Sequence, residues 1–333
     1  FFAVGMSTLV GPGDRVLILF PCGQPGSVGE LLCRALPRIG VRPIPHGPVG
    51  DPREALEAAV KSGATSLAGT AIQAHLLCGQ WRSDCRETGH GGECHQGGHA
   101  RPALMESFIR TALLSADYVP DAVVRELREI WGCAVYGHYG MTEMGLGGGV
   151  ECEAREGYHM REGDMLIEII DPVTGRPVPD GLPGEVVITT LRNEAMPLIR
   201  YRTGDISRFI PGPCPCGSSL PRLEKLRGRA GGGILMEETA VVPPGGRAGV
   251  IDGRIEAAVG SRRLSIADLE EALLPVPGLA DFRASVERSA GKNGSPVKLT
   301  VTIRTFGAEG PGLRDNVLRA LLGIPVIGEA AGS

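Results

Sequence analysis

Short apolar runs alternate with helical periodicities through the first part of the chain. Residues 14–20 (DRVLILF) follow a Gly-Pro-Gly turn and are almost continuously apolar, which predicts a buried strand. After Ser27, a residue suited to an N-cap, Val28, Leu31, Leu32, Ala35 and Leu36 share one helical face. Residues 41–44 predict a second strand. Asp51-Pro52 opens a second helix, with Leu56, Ala59 and Val60 turned inward, and residues 65–68 predict a third strand. A β-α-β-α-β rhythm of this kind predicts a mainly parallel sheet covered by helices. Residues 82–101 are polar and Gly-rich and read as a surface loop. Helices are expected at 103–114 and, after Pro120, at 121–131, with a strand at 133–136 running into a glycine-rich turn over 137–149.

The pattern then changes. Residues 164–171 (DMLIEIID) and 185–191 (EVVITTL) predict paired strands separated by a segment dense in turn residues. Residues 199–202 and 206–210 predict two more strands around Thr203-Gly204-Asp205, completing an antiparallel sheet or small barrel. The glycines of 230–233 suggest a hinge. Beyond them the pattern predicts a helix at 265–274, strands near 282–286 and 297–305, and a helix at 313–322. The expected fold is α/β: a large domain over 1–229 with mainly parallel sheets and a small antiparallel sheet or barrel, then a small α+β domain over 230–333.

Composition narrows the function classes. The 333 residues include 50 glycines and 26 prolines but only 4 % aromatics, a turn-rich chain poor in large core side chains. At 42 % hydrophobic it is too apolar for a disordered protein, and no Gly-X-Y period points to collagen. A net charge of −4 argues against nucleic acid as a partner. No apolar run approaches the roughly 18 residues of a membrane span. Nine cysteines, an odd number with no signal-peptide pattern, read as thiols and metal ligands in a reducing cytoplasm rather than as a disulfide framework.

The segment richest in chemistry is Tyr136-Gly-His-Tyr-Gly-Met-Thr-Glu143. A strand ends in a glycine turn that presents Tyr139, Thr142 and Glu143 together. Glycine admits a ligand close to the backbone, a hydroxyl donates to phosphate oxygen, and a carboxylate suits Mg²⁺. The tyrosine ring offers a stacking face for a base. In Tyr201-Arg-Thr-Gly-Asp205, an aspartate at a strand end can accept from the two hydroxyls of a ribose, and equally can cap a hairpin. Arg227-Gly-Arg229 places a basic pair beside the glycine hinge.

In order and spacing, YGMTE, the DPxTGxPxPDGxPGE stretch from Asp171 to Glu185, YRTGD and RGR resemble the adenylate-forming superfamily, within it the phenylacetate–coenzyme A ligases and their relatives. The TTL of 189–191 and MPLIRYR of 196–202 resemble that group too. The likeness is strong from about 113 to 229, fair over 14–80 and weak in the last hundred residues. It implies that Tyr139 stacks on adenine within the Tyr139-Gly140-Met141-Thr142 turn, that Thr142 contacts the α-phosphate, and that Glu143 holds Mg²⁺. Asp205 would bind the ribose and Arg229 the nucleotide, while Ser115, Ala116 and Asp117 stand where the family lines the adenine pocket. The implied reaction joins a carboxylic acid, an aryl acid by this likeness, to ATP as an acyl adenylate. The thiol of coenzyme A then displaces AMP, and the small C-terminal domain acts as a lid. The likeness permits a homodimer. Adenylating synthetases acting on a deazaflavin cofactor share the same core motifs, and a non-catalytic nucleotide-binding, zinc-stabilised module is the alternative of another class.

Cys152 and His159, with the Cys214-Pro215-Cys216-Gly217 knuckle, supply three thiolates and an imidazole, the donors of a closed, structural zinc site. Relatives of phenylacetate–coenzyme A ligase carry a set like it. Cys85, His90, Cys94, His95 and His99 lie in the polar stretch and read as a surface insertion. Cys22, Cys33, Cys78 and Cys133 lie in apolar segments and read as core thiols.

Two family elements find no counterpart. No Ser/Thr/Gly-rich phosphate loop followed by lysine precedes the first strand, and the chain opens on Phe1-Phe2-Ala3 amid apolar residues. No lysine near the end stands in the expected context, Lys292 and Lys298 being candidates by chemistry alone. The expectation is a larger enzyme lacking both ends, or a degenerate homologue.

Overall fold

The computed structural model describes residues 2–87, 109–226, 229, 234–235, 255–256, 263–288, 297–306, 310 and 312–327. Helix α1 (Phe2–Met6) precedes β1 (Arg15–Ile18), whose Val16, Leu17 and Ile18 are fully buried. Helix α2 (Val28–Ala35) follows, with Ser27 at the N-cap in extended conformation. The Ser27 hydroxyl donates to the Gln24 carbonyl and makes no cap bond to the helix. Then come β2 (Arg42–Pro45), α3 (Pro52–Ser62) and β3 (Ser66–Gly69). In α3 the expected cap is formed: Asp51 accepts from the Arg53 backbone N–H at 2.8 Å, and Gly63 closes the helix with φ +62°.

Helix α4 (Ala71–Glu87) and strand β4 (Thr111–Leu114) correct the pattern reading. Residues 82–87 continue a helix, where a surface loop was expected. Ala74, Leu77, Cys78, Trp81 and Cys85 recur at helical spacing, and their burial outweighs the polar residues between them. Residues 111–114 are a strand where the end of a helix was expected. A four-residue apolar run is ambiguous by periodicity, and here pairing on both sides decides it. The rest of the polar stretch, with His90, Cys94, His95 and His99, and the predicted helix over 103–108 lie outside the described residues. After α5 (Asp121–Trp131) comes β5 (Ala134–Tyr139). Trp81 meets Trp131 edge to face at 6.3 Å, and buried His75 and Glu126 hydrogen-bond at 2.6 Å, fastening α4 to α5.

Strands β6 (Gly149–Glu151), β7 (Tyr158–Met160), β8 (Met165–Ile170), β9 (Gly184–Thr190), β10 (Tyr201–Ser207), β11 (Phe209–Ile210) and β12 (Arg222–Leu223) complete the larger part. One sheet has the order β11-β12-β7-β6-β5-β4-β3-β1-β2. It is parallel from β2 through β5, with a helix in each crossover, and antiparallel from β5 to β11. A second, antiparallel sheet has the order β10-β9-β8, as the sequence predicts for its first two strands. Two strands were expected over 199–210. The structure instead runs β10 as one strand with a register shift between Arg202 and Ile206, and places β11 in the other sheet. Gly204, at φ +78°, carries the bulge that keeps the strand continuous.

The chain divides into two compact units. One comprises Phe1–Trp81, Cys85–Val119 and Val124–Gly231; the other comprises Arg82–Asp84, Pro120–Val123 and Gly232–Ser333. The second contains β13 (Ile234–Leu235), β14 (Ile255–Glu256) and β15 (Arg263–Leu264), then α6 (Ile266–Leu273), β16 (Leu279–Arg288), β17 (Val297–Thr305) and α7 (Leu313–Leu322). Its strands pair as β13-β15 and β14-β17-β16, all antiparallel. A capping box between Ser265 and Asp268 starts α6. The predicted hinge over 230–233 and Lys292 lie outside the described residues, and Lys298 lies within β17. Among the described residues no helix is long and apolar enough to cross a membrane.

The junction of β1 with α2 generates a test. A Cβ on Gly29 would lie 2.6 Å from the Pro21 carbonyl oxygen, 2.7 Å from that of Phe20 and 2.5 Å from Cys22 Sγ. Helix propensity favours Gly29→Ala by about 1 kcal/mol. Contact with two fixed carbonyls costs about 1–3 kcal/mol or more, so overpacking wins. The variant is expected to unfold at lower urea than the parent; a higher midpoint would show that the helix start can shift freely.

Candidate active site

The carboxyl ends of the parallel strands β1, β4 and β5 meet at one edge of the large sheet, where ligands bind in open α/β folds. A cavity of about 250 Å³ lies there. Phe20 follows β1, Val28 and Leu32 come from α2, Leu113 from β4, and Phe2 and Met6 from α1. Ser115, Ala116, Gly140, Met141 and Thr142 line it as well. Five residues expected at the site are thus brought to one cavity. Asp117 is exposed and does not line it. Ala116 takes φ +80°, a costly value for a residue with a Cβ, at the turn leaving β4.

Glycine packing fixes the turn after β5. A Cβ on Gly140 would lie 2.9 Å from the Gly147 Cα and 2.8 Å from the His138 ring. Residues Thr142–Met144 form a single 3₁₀ turn ended by Gly145 at φ +69°. Thr142 is exposed beside the cavity, and the half-buried Glu143 carboxylate accepts from the Tyr201 hydroxyl at 3.4 Å.

Successive strand residues point to opposite faces, and the end of β5 uses both. His138 faces the cavity. Tyr139 faces away, packed against Tyr158 at 6.1 Å between ring centroids, with only 8 % of its surface exposed. Its hydroxyl donates to Asp205 Oδ2 at 2.8 Å. Burial, and then the Asp205 carboxylate, raise the phenol above its ordinary pKa, so it stays a donor. Arg229 Nε donates to Asp205 Oδ1 at 2.9 Å, and the two residues form a β-bridge. The bulge at Gly204 aims Asp205 inward, with its backbone N–H bonded to Thr203 Oγ1 at 3.0 Å. Tyr139, Asp205 and Arg229 therefore form one hydrogen-bonded row.

A third group also assembles. The ligand atoms of Cys152, His159, Cys214 and Cys216 all lie within 4.8 Å of one another. Cys152 Sγ is 3.6 Å from Cys214 Sγ, and Cys216 Sγ is 3.3 Å from His159 Nε2. His159 Nδ1 donates to the Leu220 carbonyl at 3.2 Å, which leaves Nε2 as the ligating nitrogen. Of the other cysteines, Cys78, Cys85 and Cys133 are buried; Cys22 and Cys33, expected in the core, are half-buried beside each other at its margin.

Two residues of the site escape the motif reading. Glu151 Oε2 accepts from the Gly137 N–H at 2.5 Å beneath the turn, and burial raises its carboxyl pKa. His138 lies inside the motif, but only the fold shows that it faces a cavity. Its Nδ1 is 2.7 Å from Ser115 Oγ. Burial first, then Arg161, push its imidazole down to about 4.

Comparison with known proteins gives three findings. The family model described as AMP-binding enzyme matches residues 2–192. Phenylacetate-coenzyme A ligases of Thermus thermophilus and Aromatoleum evansii are 37 % and 44 % identical over 141 and 140 residues, 41 % of this chain in each case. Those segments are only 32 % and 31 % of the two ligases. Among solved structures, a 2-hydroxyisobutyryl-CoA ligase in the postadenylation state superposes on 98 % of this chain, with TM-score 0.69 at 20 % identity. An anthranilate CoA ligase complexed with anthranoyl-AMP superposes on 98 %, with TM-score 0.59 at 13 % identity. This chain covers 63 % and 56 % of those structures. At such identities the superpositions establish the fold.

His138 gives a pH test. Its folded pKa of about 4 lies below the unfolded value of about 6.5, so the unfolded state binds more protons between them. The contribution to stability is complete above about pH 6.5 and is lost as pH falls toward 4, by up to about 3 kcal/mol. NMR titration of the ring should give a midpoint near the lower value; a midpoint near 6.5 would contradict this environment.

Proposed function

The chain belongs to the AMP-binding enzyme family, and from that premise we propose that it activates a carboxylic acid with ATP and passes the acyl group to coenzyme A. The carrying observation is the end of β5, which borders an apolar cavity with one residue and grips the Asp205 row with the next. An acid in the cavity would then meet the α-phosphate of a nucleotide held at Asp205. An apolar cavity of about 150 Å³ takes up benzene, so 250 Å³ suits one aromatic ring with a short acid arm.

The placement of the residues supports each proposed step. The acid carboxylate attacks the α-phosphorus and expels pyrophosphate, giving an acyl adenylate. Thr142 at the cavity edge donates to an α-phosphate oxygen. The Glu143 carboxylate has no cationic partner among the described residues, so its charge is available to Mg²⁺, which would neutralise phosphate charge. Asp205 receives the ribose hydroxyls on lone pairs not used by Tyr139 and Arg229. Tyr139 serves the nucleotide by fixing Asp205; stacking on adenine requires its ring to give up part of its burial. The coenzyme A thiol then attacks the acyl carbon and displaces AMP. Residues 230–333 as a lid between the two steps complete the proposal.

Three thiols and an imidazole, with the second imidazole nitrogen already held by a carbonyl, fit zinc, and the four positions leave none for substrate. We assign the set a structural role: it ties the hairpin after the glycine turn to the 211–220 segment.

The activity test is acid-dependent exchange of pyrophosphate into ATP, with AMP release on adding coenzyme A, by the protein of the full open reading frame. Asp205→Ala should raise the KM for ATP about tenfold or more and leave that for the acid little changed. Glu143→Gln should lower kcat on the order of a hundredfold. Nucleotide binding without exchange for any acid would support the non-catalytic module instead. For the metal, one zinc per chain is expected. Cys214→Ser should lower the melting temperature by roughly 5–10 °C, a loss of about 2–3 kcal/mol. Metal-free protein with unchanged melting would overturn the assignment.

A further inference from the structure

We propose that the Ser115–His138 pair selects acids whose ring carries a hydroxyl or amino group, an inference that rests on the ligase reading above. Among the described residues, the side chains lining the cavity are apolar except for Ser115, His138 and Thr142. Thr142 belongs to the phosphate end. That leaves one polar pair, held together at 2.7 Å, in an otherwise apolar wall.

The pair has unspent hydrogen-bonding capacity. His138 Nδ1 is engaged by Ser115 Oγ, and Nε2 has no hydrogen-bond partner among the described residues. The imidazole is neutral at physiological pH, so one nitrogen donates and the other accepts. If the Ser115 hydroxyl donates to Nδ1, Nε2–H is a donor toward the ligand. If Nδ1–H donates to Ser115, Nε2 is an acceptor and the Ser115 hydroxyl a donor. One reorientation of the hydroxyl and one tautomer change interconvert the two. The pair therefore matches a phenolic hydroxyl or an arylamine as either donor or acceptor.

A bare ring offers neither. It fills the apolar wall but would cover a ring nitrogen without pairing it, and sites built around a polar group reject ligands lacking its partner. Packing constraints hold the pair in place: a Cβ on Gly140 would collide with the His138 ring at 2.8 Å, and Ser115 is fixed by its backbone N–H bond to the Gly69 carbonyl at 3.0 Å.

The experiment measures acid-dependent pyrophosphate exchange by the full-length protein with benzoate and phenylacetate, and with their ortho-, meta- and para-hydroxyl and amino derivatives. At least one substituted isomer should exceed its parent in kcat/KM by about 10- to 100-fold. His138→Leu should bring that ratio to about one or invert it, and Ser115→Ala should shrink it. The separate KM values should show the effect in the acid and not in ATP. A parent acid equal to or better than every derivative, or a His138→Leu variant that lowers all acids by the same factor, would overturn the proposal. Should His138→Leu fail to fold, His138→Gln, which keeps a donor and an acceptor, and Ser115→Ala carry the same ratio test. Exchange with no acid at all would instead refute the ligase reading, and this inference with it.

Discussion

The close approach of backbone to backbone where β5 turns back into β6 is the constraint on which the site depends. Cβ positions built at Gly140, Gly148 and Gly149 would lie 2.9 Å from the Gly147 Cα, 3.1 Å from the Tyr139 carbonyl oxygen and 2.8 Å from that of His159. No side chain fits in those gaps, so the chain reverses within backbone contact distance. The reversal sets the position of Thr142 and Glu143 relative to the cavity. It also pairs β6 with β5 and, through β6, sets the place of β7, which puts Cys152 and His159 within reach of the Cys214–Cys216 knuckle.

The second sheet is joined to this turn by polar contacts of a specific kind. Thr203 Oγ1 both donates to the Val186 carbonyl at 2.8 Å and accepts from the Asp205 N–H, so the bulge in β10 is internally satisfied. Gly204 N–H donates to Glu185 at 3.2 Å, and Glu185 is paired with Arg202. Asp205 is thus presented by a rigid irregularity, and Tyr139 receives it from the other sheet. A regular strand would alternate faces without interruption; the inserted residue is what re-aims the carboxylate.

Much of this was legible in residues that act locally. The β-α-β alternation of 14–68 is legible because each run is bounded by turn residues and matches one period. YGMTE and YRTGD stand out because each is contiguous, while Cys152 and His159 lie far along the chain from the Cys214–Cys216 knuckle that the fold brings to them. Local pattern misleads where tertiary pairing overrides it. TALL at 111–114 became a strand only because β3 and β5 flank it. The α4 extension hid behind charged residues on its outer face, although Cys78, Trp81 and Cys85 already marked the inner one. Strand β10 reads as two strands because Thr-Gly-Asp reads as a turn, and a bulge has the same composition as a turn.

The cavity shows a different limit. Phe20 after β1, Val28 in α2, Leu113 in β4 and His138 in β5 are spread over more than a hundred positions of sequence, and no local pattern marks any of them as facing a cavity. On the reading proposed above, the nucleotide is the same for every acid-activating ligase, so its contacts can be written into a short turn. The acid differs from one ligase to the next, and its contacts are whatever the ends of separate strands happen to present at a shared edge. The alternation of β5 places the two kinds of information on adjacent residues: Tyr139 faces the Asp205 row, and His138, one position earlier, faces the cavity. Changing the second without disturbing the first is geometrically allowed because the two side chains lie on opposite faces of the sheet, and this is why a motif can persist while the cavity beside it is rebuilt.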